Sequence, residues 1–189
     1  MASGRLVLML LVGCVLVVGC LQPAPGDFVA RSKTLNASQL FTTADAERIM
    51  GYRLHMIHAT GSVASSQRGE RSIASFALPD KPVSIPITEP RNGSPNGTVV
   101  MASVSFVDPA NYSSQRQTYL GMQGIRDLPN VGDEGWVSLD DSPGMIASAR
   151  VGDVELNIHL DFEYSPRINR GEVASRLIEM AREVATRIR

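Results

Sequence analysis

The chain has 189 residues, which is enough for one globular domain of ordinary size with an appended segment. Its 18 basic side chains are balanced by 19 acidic ones, 43% of its residues are hydrophobic, and it contains only two cysteines. This composition excludes a basic nucleic-acid-binding protein, an acidic disordered tail and a disulfide-stabilised scaffold. The sequence therefore indicates a folded domain with an ordinary apolar core, and it leaves the activity open.

The N-terminal segment has the layout of an export signal. One positive charge, Arg5, precedes an apolar run of 14 residues over 6–19. A short apolar run behind a basic residue is typical of a secretory signal peptide. A membrane-spanning helix needs about 20 apolar residues. We therefore predict that residues 1–19 are a signal peptide, of the lipoprotein type described next. The alternatives are a plain signal peptide and a short signal anchor.

The apolar run ends in Val17-Val18-Gly19-Cys20. This tetrapeptide resembles the bacterial lipobox, in which an aliphatic residue and small residues precede a cysteine. The resemblance implies that the Cys20 thiol receives a diacylglyceryl group, with acyl chains such as palmitate, and that signal peptidase cuts between Gly19 and Cys20. Each buried CH₂ contributes about 0.8 kcal/mol, so several acyl chains hold a protein firmly on a membrane.

A second cysteine offers a competing position for the same modification. Leu11-Val12-Gly13-Cys14 fits the lipobox pattern as well. Cleavage before Cys14 would leave only eight apolar residues in the export core, so we favour Cys20. The chain that follows, residues 20–36, begins with a stretch rich in proline and glycine and is predicted to be a lipidated tether. Residues 37–189 are predicted to form a single domain.

The first half of this domain is predicted to contain one helix and several strands. Thr42 and Asp45 form a capping pattern, and Gly51 is a suitable helix terminator, so we predict a helix between Thr42 and Gly51. Strands are predicted over 52–60 and 71–78. Residues 79–98 contain five prolines and are predicted to be a long loop.

The alternation of apolar residues predicts another strand over 98–107, followed by a second helix. Asp108 and Pro109 are a favourable cap and first helical residue, and this helix is predicted to run to about Leu120. A turn-rich stretch then leads to a strand over 136–139.

The clearest local signal is a β-hairpin around Gly152-Asp153, a pair suited to a type II′ turn. Counting outward from Val151 opposite Val154 places the apolar residues of both strands on one face, which specifies the register. The same register places Arg150 opposite Glu155 and predicts an ion pair between them.

A third helix is predicted from Arg170 to Ile188, capped by Asn169 and carrying an apolar stripe that needs a sheet to cover. The order of elements is therefore helix, strands, helix, strands, helix. We predict an α+β fold in which an antiparallel sheet carries helices packed on one face, with the C-terminal helix covering the hairpin.

Residues that could form a functional site lie near the single tryptophan. Asp133, Glu134 and Trp136 are candidate binding residues, and a buried core position is the simpler interpretation of Trp136. An alternative is a hydrolase that uses Asp133 or Glu134 with His159, which requires these groups to converge within about 8 Å. The sequence contains no nucleophile elbow and no phosphate-binding glycine loop, so no catalytic residue and no cofactor is predicted.

The three histidines also raise the question of a metal site. His55 and His58 fall on a predicted strand, where an odd separation sends side chains to opposite faces. His159 lies on the polar face of the hairpin. We therefore predict no metal site and interpret all three as surface or half-buried histidines.

These features together resemble a class of bacterial proteins. The lipobox, the proline-rich tether and three segments of the soluble part are similar to uncharacterised envelope lipoproteins that are abundant in actinobacteria. Those segments are Thr42–Gly51, Val131–Trp136 and the Val151–Val154 hairpin turn. The resemblance implies a protein anchored by lipid to the outer side of the cell membrane, acting as a binding or interaction module. Its partners would be an envelope protein or a small apolar ligand, and no nucleic acid.

Overall fold

The fold is seen in a computed structural model that describes residues 33–80, 97–122, 124–139, 144–163 and 168–189. The predicted signal peptide, with Gly19 and Cys20, and most of the proline-rich loop lie outside the described residues. Residues 32–189 belong to one compact unit. The prediction of an α+β fold with an antiparallel sheet is confirmed.

The described residues contain four helices: α1 (Ala37–Leu40), α2 (Thr43–Met50), α3 (Pro109–Leu120) and α4 (Arg170–Ile188). They also contain nine strands: β1 (Thr34–Leu35), β2 (His55–Ala59), β3 (Val63–Ala64), β4 (Arg71–Ala77), β5 (Thr98–Phe106), β6 (Ile125–Asp127), β7 (Glu134–Ser138), β8 (Gly144–Val151) and β9 (Val154–Asp161).

Seven of these strands form one antiparallel sheet in the order β2-β4-β5-β9-β8-β7-β6. The hairpin of β8 and β9 lies near its middle, and its register agrees with the prediction at every pair, from Val151 opposite Val154 to Met145 opposite Leu160. Gly152 has a φ of 62°, which a type II′ turn requires at its first central residue. Here a correct turn assignment was sufficient to fix the pairing of two whole strands.

One face of the sheet forms the core because the apolar side chains of β5, β8 and β9 alternate onto it. α4 packs across this face, mainly against β8, through residues such as Leu177 and Val184, both fully buried. A buried leucine or valine of this kind contributes about 1.5–3 kcal/mol. The predicted covering of the hairpin by the C-terminal helix is therefore confirmed.

α2 begins and ends as predicted. The Thr42 side chain accepts a hydrogen bond from the Asp45 N–H, the Asp45 carboxylate accepts one from the Thr42 N–H, and Gly51 closes the helix with a φ of 80°. Its buried residues Ile49 and Met50 join the core. The helix is short because its apolar stripe is short, and it is held by α4, against which it packs.

α3 lies on the other face of the sheet. The Tyr112 hydroxyl of this helix is 3.1 Å from Ser148 Oγ, and Ser148 alternates with the core residues Ala147 and Ala149 on β8. The prediction that the helices pack on one face of the sheet therefore holds for α4 and the helices that contact it, but not for α3. α3 covers the second face, which is hereafter called the polar face.

The domain also begins earlier than predicted. Leu35 of β1, assigned to the tether by the sequence, is 7% exposed and packs in the core, and β1 pairs with β3. The N–H of Ala37 donates to Ser72 Oγ, which anchors the start of α1 on β4. A two-residue strand and a four-residue helix carry too few residues for a periodic signal, so sequence patterns do not reveal them.

Candidate functional site

The polar face of the sheet carries the residues predicted to form a site. One row of side chains crosses the strands from Glu134 through Arg150 to Glu155. The neighbouring row runs from Trp136 through Ser148. α3 contacts β6 and β7, so the helix covers the β7 end of both rows.

Glu134 is held by two donors. The Ser113 hydroxyl of α3 donates to Glu134 Oε1 at 2.7 Å, and Arg150 Nη2 donates to the same oxygen at 2.7 Å. The hydrogen bond from Ser113 lowers the pKa of Glu134 below its usual value, burial opposes this, and Arg150 lowers the pKa further. A carboxylate that stays ionised and already accepts two hydrogen bonds is suited to joining α3 to the sheet, and is poorly suited to acting as a general acid.

Asp133 fixes the hairpin turn. Its Oδ2 accepts a hydrogen bond from the Gly152 N–H at 2.7 Å and lies 3.4 Å from Arg150 Nη1. Arg150 also donates to the Gly152 carbonyl at 2.6 Å. The predicted ion pair between Arg150 and Glu155 is not formed, because Glu134 at the start of β7 and Asp133 just before it offer two carboxylates to the same guanidinium.

Trp136 is buried, in agreement with the simpler of its two interpretations. It is 8% exposed, and its ring lies 4.9 Å from that of Tyr119 on α3. Arg116 of α3 reaches the same region, where Nε donates to the Gly135 carbonyl and Nη2 pairs with Asp127 at 2.5 Å. The indole therefore packs between helix and sheet and offers little surface to a ligand.

The sheet keeps His159 away from these carboxylates. His159 lies opposite Ile146, which lies opposite Ser138, four residues along β7 from Glu134. Two strand spacings and four residues along a strand correspond to a Cα separation of about 16 Å. The arrangement required for a hydrolase, with convergence within about 8 Å, is not present at these residues.

His55 and His58 lie on the same face of the sheet, contrary to the expectation from their spacing. The register of β2 against β4 shifts between Met56 and His58, so that His55 is opposite Ala77 and His58 is opposite Ser75. A bulge adds one residue to the strand and restores the same orientation after three residues. Throughout the described ranges, no group of three or more His, Cys, Asp or Glu side chains is placed to hold a metal ion.

A second feature was not indicated by the sequence. Beside the C-terminal end of α2 there is an open cavity of about 510 Å³. We call this cavity the arginine cleft, and it is lined by Glu47, Arg48, Gly51, Tyr52, Arg53 and Arg176. Arg176 comes from α4, more than 120 residues away along the chain, so no local motif could have brought these side chains together.

No protein-family model, curated protein or solved structure matches this chain. Within the described part of the chain, none of the helices is long and apolar enough to span a membrane.

Proposed function

We propose that this chain is an exported bacterial lipoprotein that is anchored to the outer side of the cell membrane through Cys20 and acts there as a binding module. The observation that carries this proposal is the tetrapeptide Val17–Cys20 at the end of an apolar run that follows Arg5. Its resemblance to the lipobox provides the anchor, and the proline- and glycine-rich stretch after it provides a spacer between lipid and domain.

The folded domain supports a binding role more than a catalytic one. Asp133, Glu134 and Trp136 form hydrogen bonds, ion pairs and ring contacts within the protein. The arginine cleft, in contrast, is open to solvent and carries charged side chains. A module tethered at the membrane surface needs an accessible site of this kind, and it does not need to enclose a reacting group.

The anchor is tested by comparing two cysteine variants expressed in a bacterial host. Cys20→Ala is expected to move the protein from the detergent phase to the aqueous phase on detergent phase separation, or to block its processing. Cys14→Ala is the matched control and is expected to leave partitioning unchanged. If Cys14→Ala alone moves the protein, the wrong cysteine has been chosen, and if neither variant does so, the lipid anchor is refuted.

A further inference from the structure

We propose that the arginine cleft binds a phosphate group carried by a larger molecule. The cleft is formed where the C-terminal end of α2 meets α4, and arginine side chains line it on both sides. Arg48 and Arg53 come from α2 and the residues after it, and Arg176 comes from α4. Guanidinium groups bind phosphate oxygens through paired N–H donors, which makes arginine the preferred side chain for this recognition.

Arg53 has N–H donors that are not used within the described part of the chain. It is exposed, and within the described part of the chain it forms no ion pair and no hydrogen bond. A charged side chain at the wall of a cavity, with no partner among the described residues, is able to bind an external anion without first breaking a contact to that part of the chain.

The other two arginines are only partly engaged. Arg48 uses Nη2 to pair with Glu183 and to contact Met180 Sδ, and Arg176 uses Nη2 to pair with Glu172. Their Nη1 groups make no hydrogen bond with the rest of the described chain. The two ion pairs therefore hold the guanidinium groups in place while each retains donors for a ligand.

Gly51 makes room for one of these groups. It has a φ of 80°, and a Cβ atom at this position would lie 2.8 Å from Arg176 Nη1. The guanidinium group thus lies directly over the backbone where α2 ends. The left-handed conformation favours glycine here, and a Cβ atom would in addition require the end of the Arg176 side chain to shift.

The lining contains three arginines and one carboxylate, Glu47, which accepts a hydrogen bond from the Leu54 N–H at 3.0 Å. Glu183 and Glu172 lie outside the lining and pair with Arg48 and Arg176, so a phosphate would be recognised through the remaining guanidinium N–H donors and not through a large excess of positive charge. A phosphate monoester carries a charge of about −1.5 to −2 at neutral pH. The volume of about 510 Å³ exceeds that of a phosphate group, which leaves space for the sugar, glycerol or lipid to which it is attached.

This assignment deepens the proposed function by giving the binding module a class of ligand. Its test uses the purified full-length chain in non-ionic detergent, so the outcome does not depend on which cysteine is acylated. Glycerol phosphate is titrated by calorimetry, with glycerol as the uncharged control. A short-chain phosphatidic acid in mixed micelles forms a second arm that distinguishes a lipid headgroup from a soluble phosphate compound.

We expect saturable binding of glycerol phosphate and none of glycerol. Arg53→Gln and Arg176→Gln are each expected to weaken binding about fivefold or more, since each removes charge-assisted hydrogen bonds. Arg182→Gln, which changes an exposed arginine of α4 outside the cleft lining, is expected to leave the affinity unchanged.

Tighter binding of phosphatidic acid than of glycerol phosphate would support a lipid headgroup as the ligand, and equal binding would support a soluble phosphate compound. The proposal is overturned if neither probe binds saturably, or if Arg53→Gln and Arg176→Gln bind as tightly as the wild type. The partitioning of Cys20→Ala is unaffected by either result, so failure of this assignment is distinguishable from failure of the lipid anchor.

Discussion

Arg187, in the last turn of α4, holds Asp45 of α2 through two hydrogen bonds, of 2.6 Å to Oδ2 and 3.0 Å to Oδ1. The Asp45 side chain is only 6% exposed. Arg187 also donates to Glu183 and to the Leu40 carbonyl, so one guanidinium joins α1, α2 and α4. This contact fixes the position of α2 on the core, because the apolar stripe of α2 alone is short.

The first prediction concerns the stability that this ion pair supplies. Arg187→Ala is expected to lower the free energy of unfolding by about 2 kcal/mol, less than for a fully buried pair because Arg187 is partly exposed. Arg182→Ala on the same helix is the control and should change it by about 0.5 kcal/mol or less. Urea unfolding followed by circular dichroism measures both. Equal effects of the two variants would contradict the role of the pair.

The second prediction is a pH dependence of the same contact. Burial raises the pKa of Asp45, but the hydrogen bonds from Arg187 and Thr42 outweigh this and hold it below its usual value of 3.8. A lowered pKa means that the stabilisation is complete above the unfolded-state pKa of about 3.9 and is lost as the pH falls through the folded-state pKa. The difference in unfolding free energy between the wild type and Asp45→Asn should therefore shrink below about pH 4. A difference that stays constant down to pH 3 would contradict it.

The third prediction concerns a glycine in the loop before β7. Gly132 has a φ of 65°, and a Cβ atom there would lie 2.3 Å from the Arg150 carbonyl oxygen. That oxygen accepts the Asp133 N–H at 2.7 Å. Gly132→Ala is expected to cost about 3 kcal/mol, because the backbone must move and the conformation is strained.

The control for this change is Gly61→Ala, where a Cβ atom would meet nothing within 4 Å. It is expected to leave the melting temperature close to that of the wild type. If the two alanine variants melt at the same temperature, the close approach at Gly132 has no energetic consequence and the account of this turn is wrong.

The fourth prediction tests the burial of Tyr112 between α3 and the sheet. Burial raises the pKa of its phenol to about 12, and the hydrogen bond with Ser148 lowers it only in part. In an alkaline titration followed by tyrosinate absorbance, the difference between the wild type and Tyr112→Phe should show one tyrosine ionising near pH 12. Ionisation of that tyrosine near pH 10 would show that the phenol is in contact with water.

Because the pKa of Tyr112 is raised, the free energy of unfolding is expected to fall at alkaline pH. The contribution of Tyr112 is complete below its unfolded-state pKa of about 10 and is lost as the pH rises through the folded-state value. Tyr112→Phe leaves Ser148 Oγ without this partner and is expected to cost about 1 kcal/mol at neutral pH.

Local signals in the sequence were sufficient to predict the elements whose caps or turns are formed by residues close in the chain. Thr42, Asp45 and Gly51 marked α2, and Gly152 fixed the hairpin register, because in each case the deciding hydrogen bonds join residues close in the chain. The β-bulge after Met56 could not be predicted, since it depends on the pairing of β2 with β4. It reversed the predicted orientation of His58 relative to His55.

Contacts between distant segments account for the remaining differences. Arg150 was expected to pair with Glu155, and it pairs with Glu134, because the position of β7 in the sheet is decided by the whole topology. The arginine cleft depends in the same way on α4 packing beside the end of α2. Side chains brought together by long-range packing leave no periodic signal in a single sequence.

We propose that the mature protein begins with an acylated Cys20. Intact-mass and N-terminal peptide mass spectrometry of the protein purified from bacterial membranes tests this most directly. We expect a chain that starts at Cys20 and carries the mass of a diacylglyceryl group on its sulfur. A chain with an unmodified Cys20 thiol, or one that retains Met1, would contradict it.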